Sequence, residues 1–239
     1  MDFCEDRLPI PLYHGTSTIF LDGILDSGLG GRNPISEWKI LEFASVIYPL
    51  VKEHFSNEPS WKVKAQSFGF MVEQKSAAMN FQHGHTYLSP SSATAVWYSV
   101  NTRYSSELLS YTLDFLDELL RRKVLGVAND LYQKYAQIYG LLDISCAPLL
   151  IRVDGVPIAD LSAEDGGDAA ETVAHILATL RNNNKEDAEP LLQQSNFRLR
   201  EPIPASKLKI WLINVTRWNP GFPEYSSYKL SVRGERHDA

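Results

Sequence analysis

The sequence predicts a single α+β domain over residues 1–239, and three observations carry that expectation. Short alternating or continuous apolar runs, the mark of strands, recur at residues 149–153, 197–199, 208–216 and 228–233. Amphipathic helical patterns concentrate between residues 36 and 145, which reads as a helical elaboration on a sheet core. No internal repeat and no linker-like stretch divides the chain.

In order, Leu12-Tyr13 is an apolar-aromatic lead-in to a strand that stops at His14, where Gly15 lets the backbone bend and approach a ligand. Thr16 or Ser17 can cap an amphipathic segment, residues 18–26, that ends at Gly28. Gly30-Gly31-Arg32-Asn33-Pro34 is a turn. Ile40, Leu41, Ala44, Ile47 and Leu50 place a helix over residues 36–54, broken at Asn57-Glu58-Pro59-Ser60. Residues 68–72 read as a short strand and 73–80 as a short helix. A strand ends at Tyr87, and Ala95, Trp97 and Tyr98 lie on a following helix. Leu108, Leu109, Leu113, Leu116, Leu119 and Leu120 define another helix, closed by Arg121-Arg122-Lys123, whose charges suit a helix C-terminus. Helices are expected over 130–139 and 171–181, with residues 181–189 as a loop.

Composition bounds the function. With 44% apolar residues in 239, the chain can bury a substantial core. It has no apolar run of about eighteen residues that would span a bilayer. The acidic start Met1-Asp2-Phe3-Cys4-Glu5-Asp6 lacks the blocks of a signal peptide, so a cytoplasmic location is expected. Cys4 and Cys146 make neither a disulfide framework nor a cysteine zinc site. A net charge of −6 supplies no global attraction to nucleic acid, leaving Arg103, Arg121–Lys123 and the Arg198/Arg200 pair as local basic groups. The histidines show no spacing for three or four convergent ligands, so no metal is expected.

The chemistry-bearing signature is Leu12-Tyr13-His14-Gly15-Thr16-Ser17, answered about seventy residues later by His85-Thr86-Tyr87-Leu88-Ser89-Pro90 and then Ala95-Val96-Trp97-Tyr98. A strand-end histidine followed by glycine sets a ring nitrogen beside an exposed backbone N–H, a pair suited to a carboxamide or a ribose hydroxyl. These motifs resemble the His-Tyr-Glu branch of the ADP-ribosyltransferase superfamily, which includes poly-ADP-ribose polymerases, diphtheria-type toxins and DarT-type DNA-modifying toxins. The resemblance implies a split, mixed or antiparallel β-sheet core with helical insertions, and NAD as co-substrate. It makes His14 a hydrogen-bond donor to the NAD ribose, Gly15 a backbone clamp on the nicotinamide amide with Thr16 beside it in the NAD cleft, and Tyr87 with Trp97 or Tyr98 a stacking pair around the nicotinamide ring. The 30–34 turn lies where relatives place a loop over NAD, so Arg32 is a candidate pyrophosphate contact.

The third motif departs from the family. Counting back from Ile203-Pro204, the position of the family's glutamate falls on Asn196, with Gln194 two residues earlier. Glu201 is the other candidate, but it sits beside Pro202, five residues later. A glutamate there holds the ribose hydroxyl and stabilises the cationic, oxocarbenium-like transition state; an amide supplies no charge, at a cost of about 3–4 kcal/mol of barrier. The catalytic set expected from the resemblance is therefore His14 and Tyr87 with Asn196 or Glu201.

The function implied is NAD-dependent mono-ADP-ribosyl transfer to a macromolecule in the same cell. A bacterial toxin or phage-defence effector would act in this way, with a neutralising antitoxin as partner, and nucleic acid is slightly preferred over protein as acceptor. Two alternatives stand: a non-catalytic module that binds NAD, ADP-ribose or a protein, and an RNA 2′-phosphotransferase-like enzyme. The latter also opens on His-Gly-Thr, but its second histidine is replaced here by Tyr87.

Overall fold

The computed structural model describes residues 6–74, 83–125, 130–219 and 222–231. In chain order these form β1 (Leu12–Ser17), α1 (Leu21–Ser27), α2 (Pro34–Glu37), α3 (Ile40–Phe55), α4 (Lys62–Glu73), β2 (Tyr87–Leu88), α5 (Ser92–Val100), α6 (Glu107–Arg121), α7 (Asp130–Lys134), α8 (Ala136–Gly140), β3 (Pro148–Val153), β4 (Leu161–Ala163), α9 (Ala169–Asn182), α10 (Lys185–Leu192), β5 (Phe197–Leu199), β6 (Leu208–Arg217) and β7 (Glu224–Leu230). The chain is α+β, and its strands pair antiparallel in two sheets. It gathers into two compact units: Met1–Arg32 with His85–Ser105 and Cys146–Ala239, and Asn33–Gly84 with Ser106–Ser145.

The first unit holds both sheets, ordered β1-β3-β6-β7 and β2-β5-β4 among the described residues. Strand alternation sorts its apolar side chains. Leu12, Ile151, Val153, Leu208 and Ile210 from one face of the larger sheet share a core with Leu88, Leu161 and Phe197 of the smaller one. Leu150 and Ile213, on the other face, pack with Ala95 and Val96 of α5. Ser17 rather than Thr16 caps the turn after β1, its Oγ accepting from the Ile19 N–H at 3.4 Å. Gly28, at φ 85°, ends α1.

The second unit is helical. The α3, α4 and α6 helices meet around an aromatic cluster in which Phe115 lies 5.3 Å from Phe55, 5.3 Å from Trp61 and 5.1 Å from Phe68, centroid to centroid. Ser106 caps α6 by accepting from the Leu109 N–H.

Several sequence expectations need correction. Residues 68–72 belong to α4, because Ala65, Phe68, Gly69 and Met71 are buried at helical spacing and Gly69 admits the Tyr48 ring of α3. The expected 36–54 helix is split into α2 and α3 by Lys39, whose φ of 54° is left-handed. The 18–26 segment is a 3₁₀ turn followed by α1, and the 130–139 helix is two short ones, α7 and α8. The expected loop at 181–189 is largely α10, and β7 starts earlier than residue 228. The expected helix beyond Glu73 lies mostly outside the described residues, as does Cys4.

Glu118 of α6 is buried between two guanidinium groups. It accepts from Arg121 Nε at 2.7 Å and Arg122 Nε at 2.6 Å, while Arg122 also clasps Glu58, Nη2 to Oε2 at 2.8 Å. The hydrogen bond from Arg121, then that from Arg122, holds the Glu118 carboxyl down to about 2 against the opposing effect of burial. A depressed folded-state pKa stabilises the protein above the unfolded value and loses that contribution as pH falls. The contribution of Glu118 is therefore full above about pH 4.5 and fades toward pH 2. Urea midpoints of the unaltered chain and of Glu118→Gln are expected to differ at pH 7 and to converge as the pH is lowered through that window. A constant difference would refute the linkage.

Candidate functional site

The site is built on the free edge of β1. Tyr13 gives its N–H to the Ser89 carbonyl and receives the Ser89 N–H on its own carbonyl, both at 2.8 Å. In an antiparallel edge strand alternate residues turn their main-chain groups to opposite sides. Tyr13 and Gly15 therefore face away from β3, while His14, Thr16 and Thr18 face toward it. The Thr18 N–H agrees, reaching the Ala147 carbonyl at 2.8 Å. Gly15 thus presents one N–H and one C=O beside each other on the open edge, where no described residue bonds to them.

Gly15 departs from its expected role in one respect. The strand neither stops at His14 nor bends at Gly15; it runs extended to Ser17. A β-carbon on Gly15 would stand 1.8 Å from the Ala95 carbonyl oxygen and 3.0 Å from the Ser99 nitrogen, so the glycine is required by the backbone of α5 seated on the strand. Thr16 is buried, 4% exposed, and is part of the strand's packing.

His14 links the two sheets. Its Nδ1 lies 2.8 Å from the Tyr87 carbonyl oxygen. A carbonyl only accepts, so Nδ1 carries the proton. Burial lowers the ring's pKa, which favours the neutral imidazole, and that backbone bond offsets the shift in part. Nε2 is then an acceptor. In this tautomer the ring's one N–H is given to Tyr87, so it is not available for the donor role expected of His14.

Tyr87 pairs with Arg198 across β2 and β5, and Leu88 with Phe197. Cross-strand partners share a face, so Tyr87 and Arg198 stand opposite the side on which Leu88 and Phe197 enter the core. The Tyr87 hydroxyl is buried with no hydrogen-bond partner among the described residues. Such an orphan costs about 1–3 kcal/mol, which a ligand acceptor or donor would recover. Burial first, then the charge of Glu164, raises its pKa, and Arg198 opposes them.

Asn196 stands one residue before β5. Its Nδ2 donates to Glu164 Oε2 at 3.0 Å. Glu164 follows β4 directly, and the register Leu161↔Leu199, Ser162↔Arg198, Ala163↔Phe197 makes Glu164 and Asn196 the next opposed pair. With Asp165, Glu171, His175 and Ser195, both line a recess of about 520 Å³ next to the smaller sheet. Glu201 is exposed beyond the end of β5.

The remaining candidates scatter. Trp97 packs edge-on against Trp218, 6.1 Å between centroids, while Tyr98 is 55% exposed on α5. Arg32 lies 3.9 Å from Asp26, with 51% of its side chain exposed. Sequence reading overlooked Glu164, because a three-residue strand such as β4 has too little length to show alternation. The one signal was the acidic turn Glu164-Asp165-Gly166-Gly167 that follows it.

No helix of the described residues is long and apolar enough to cross a membrane. No protein-family model, curated protein or solved structure matches the chain.

Proposed function

We propose that the chain is an NAD-dependent mono-ADP-ribosyltransferase, of the kind used as a bacterial toxin or phage-defence effector, modifying an intracellular macromolecule and restrained by an antitoxin protein. The observation that carries this reading is the His14–Tyr87 bond. It brings the two halves of the signature, 73 residues apart, onto adjoining strands of different sheets.

The residues present fit NAD. A carboxamide offers one donor group and one acceptor, the complement of the N–H and C=O that Gly15 leaves on the strand edge. His14 Nε2 accepts a ribose hydroxyl. Tyr87 offers a ring face and an unsatisfied hydroxyl, and Tyr98, 55% exposed on α5, offers an accessible second ring. NAD supplies the ADP-ribosyl group and nicotinamide as leaving group; the chain's own residues orient it and exclude water from the ring. Calorimetry with NAD tests the site. His14→Ala and Tyr87→Ala are each expected to weaken binding about tenfold, the worth of one hydrogen bond or one stacked ring. Unchanged affinity in both, with unchanged melting curves, would refute it.

Charge weighs on the acceptor. Glu164, Asp165 and Glu171 line the recess beside the site and oppose a phosphate backbone, which favours a cationic protein side chain over the nucleic acid expected from the resemblance. Labelled NAD incubated with separate protein, DNA and RNA fractions distinguishes these: label on DNA or RNA alone would reverse that preference. A binding-only module is the second reading, favoured by the amide of Asn196 where relatives carry a carboxylate, and an NAD-consumption assay separates the two.

A further inference from the structure

We propose that Glu164, held by Asn196, supplies the negative charge of the reaction centre, so that the carboxylate missing from the opening of β5 is provided from the neighbouring strand β4. The proposal rests on the reading of the site as an NAD site and names a catalytic residue within it.

Three observations place Glu164 there. The antiparallel register puts it directly across from Asn196, one step beyond the last paired residues Ala163 and Phe197. The Asn196 amide donates to its Oε2 at 3.0 Å, which orients the carboxylate. By alternation Asn196 shares a face with Arg198 and hence with Tyr87, the paired residue of Arg198. The Glu164 charge reaches the Tyr87 hydroxyl and helps to raise its pKa.

Two other carboxylates are less suited. Asp165 accepts the Gly167 N–H at 2.8 Å within its own turn. Glu201 stands outside β5, exposed to solvent, and has the parity of Phe197 and Leu199, which face the core.

The step balances as follows. The bond from ribose C1′ to the nicotinamide nitrogen breaks, and its electron pair leaves on neutral nicotinamide. A lone pair of the acceptor's nucleophile forms the new bond to C1′, and the acceptor's proton passes to Glu164 and then to solvent. Glu164 opposes the positive charge that grows on the ribose while the first bond is broken.

The test uses the full chain and two readouts. The first is nicotinamide release alongside NAD affinity by calorimetry. Glu164→Gln is expected to lower turnover about 100- to 1,000-fold, the effect of removing one preorganised electrostatic contact, with affinity changed less than about threefold. Asn196→Ala is expected to lower turnover about tenfold by releasing the carboxylate. The second readout needs no activity: the Tyr87 hydroxyl, followed by NMR of ¹³C-labelled tyrosine, is expected to titrate at a lower pH in Glu164→Gln. Normal turnover in Glu164→Gln, loss of turnover in Glu201→Gln instead, or an unmoved Tyr87 titration overturns the assignment. An unaltered chain that binds NAD without releasing nicotinamide also overturns it and leaves the NAD site standing. An unaltered chain that binds no NAD removes the parent reading itself.

Discussion

Gly15→Ala is expected to destabilise the protein by more than the ~1–3 kcal/mol that an added core methyl usually costs, and to abolish the proposed NAD binding with it. The new β-carbon would fall 1.8 Å from the Ala95 carbonyl oxygen and 2.8 Å from its carbon, both main-chain atoms of α5. A side chain could swing aside; a helix backbone cannot, so α5 must lift off the strand. That movement separates Ala95 and Val96 from Leu150 and Ile213. Gly140→Ala is the control, since nothing lies within 4 Å of its β-carbon position. It is expected to be neutral or to stabilise by about 0.4–1 kcal/mol. Urea denaturation of the two variants gives the comparison, and equal midpoints would mean that α5 does not rest on β1 as described.

Phe115→Ala is expected to cost about 3–5 kcal/mol, a large share of the roughly 5–15 kcal/mol by which a domain is held folded. Phe115 is fully buried and is the ring that Phe55, Trp61 and Phe68 share. Truncation removes transfer energy and leaves a cavity whose walls come from three helices, so no single side chain can close it. Phe115→Leu fills most of that volume and is expected to lose less than about half as much. Denaturant midpoints at pH 7 measure both. An alanine variant within about 1 kcal/mol of the unaltered chain would show that the cluster collapses around the gap.

Local chemistry made much of this protein legible in its sequence. The spacing of Leu108, Leu109, Leu113, Leu116 and Leu119 places α6, and Ser106 with Arg121 marks its ends, because caps and amphipathic faces are properties of a single segment. The apolar run behind β3 and the alternation of Phe197 and Leu199 in β5 are visible for the same reason: two-residue periodicity is written along the strand itself. The short strands that carry His14 and Tyr87 are likewise readable one segment at a time. Tertiary structure decided the rest. Phe68-Gly69-Phe70-Met71-Val72 has strand composition, yet it lies in α4 because Phe68 and Met71 bury a helical face and Gly69 takes the Tyr48 ring. Gly15 read as a ligand contact through its main chain, but that its missing β-carbon also makes room for the backbone of α5, eighty residues away in the chain, was not visible. The partner of Asn196 is Glu164, 32 residues earlier, and nothing local joins them; only the antiparallel register of β4 and β5 sets amide against carboxylate. The proton on His14 was hidden too, since the carbonyl that fixes it belongs to Tyr87 across the sheet junction. A sequence carries the pattern of each element, but a charge, a tautomer or a close approach depends on which elements become neighbours, and long-range packing sets that.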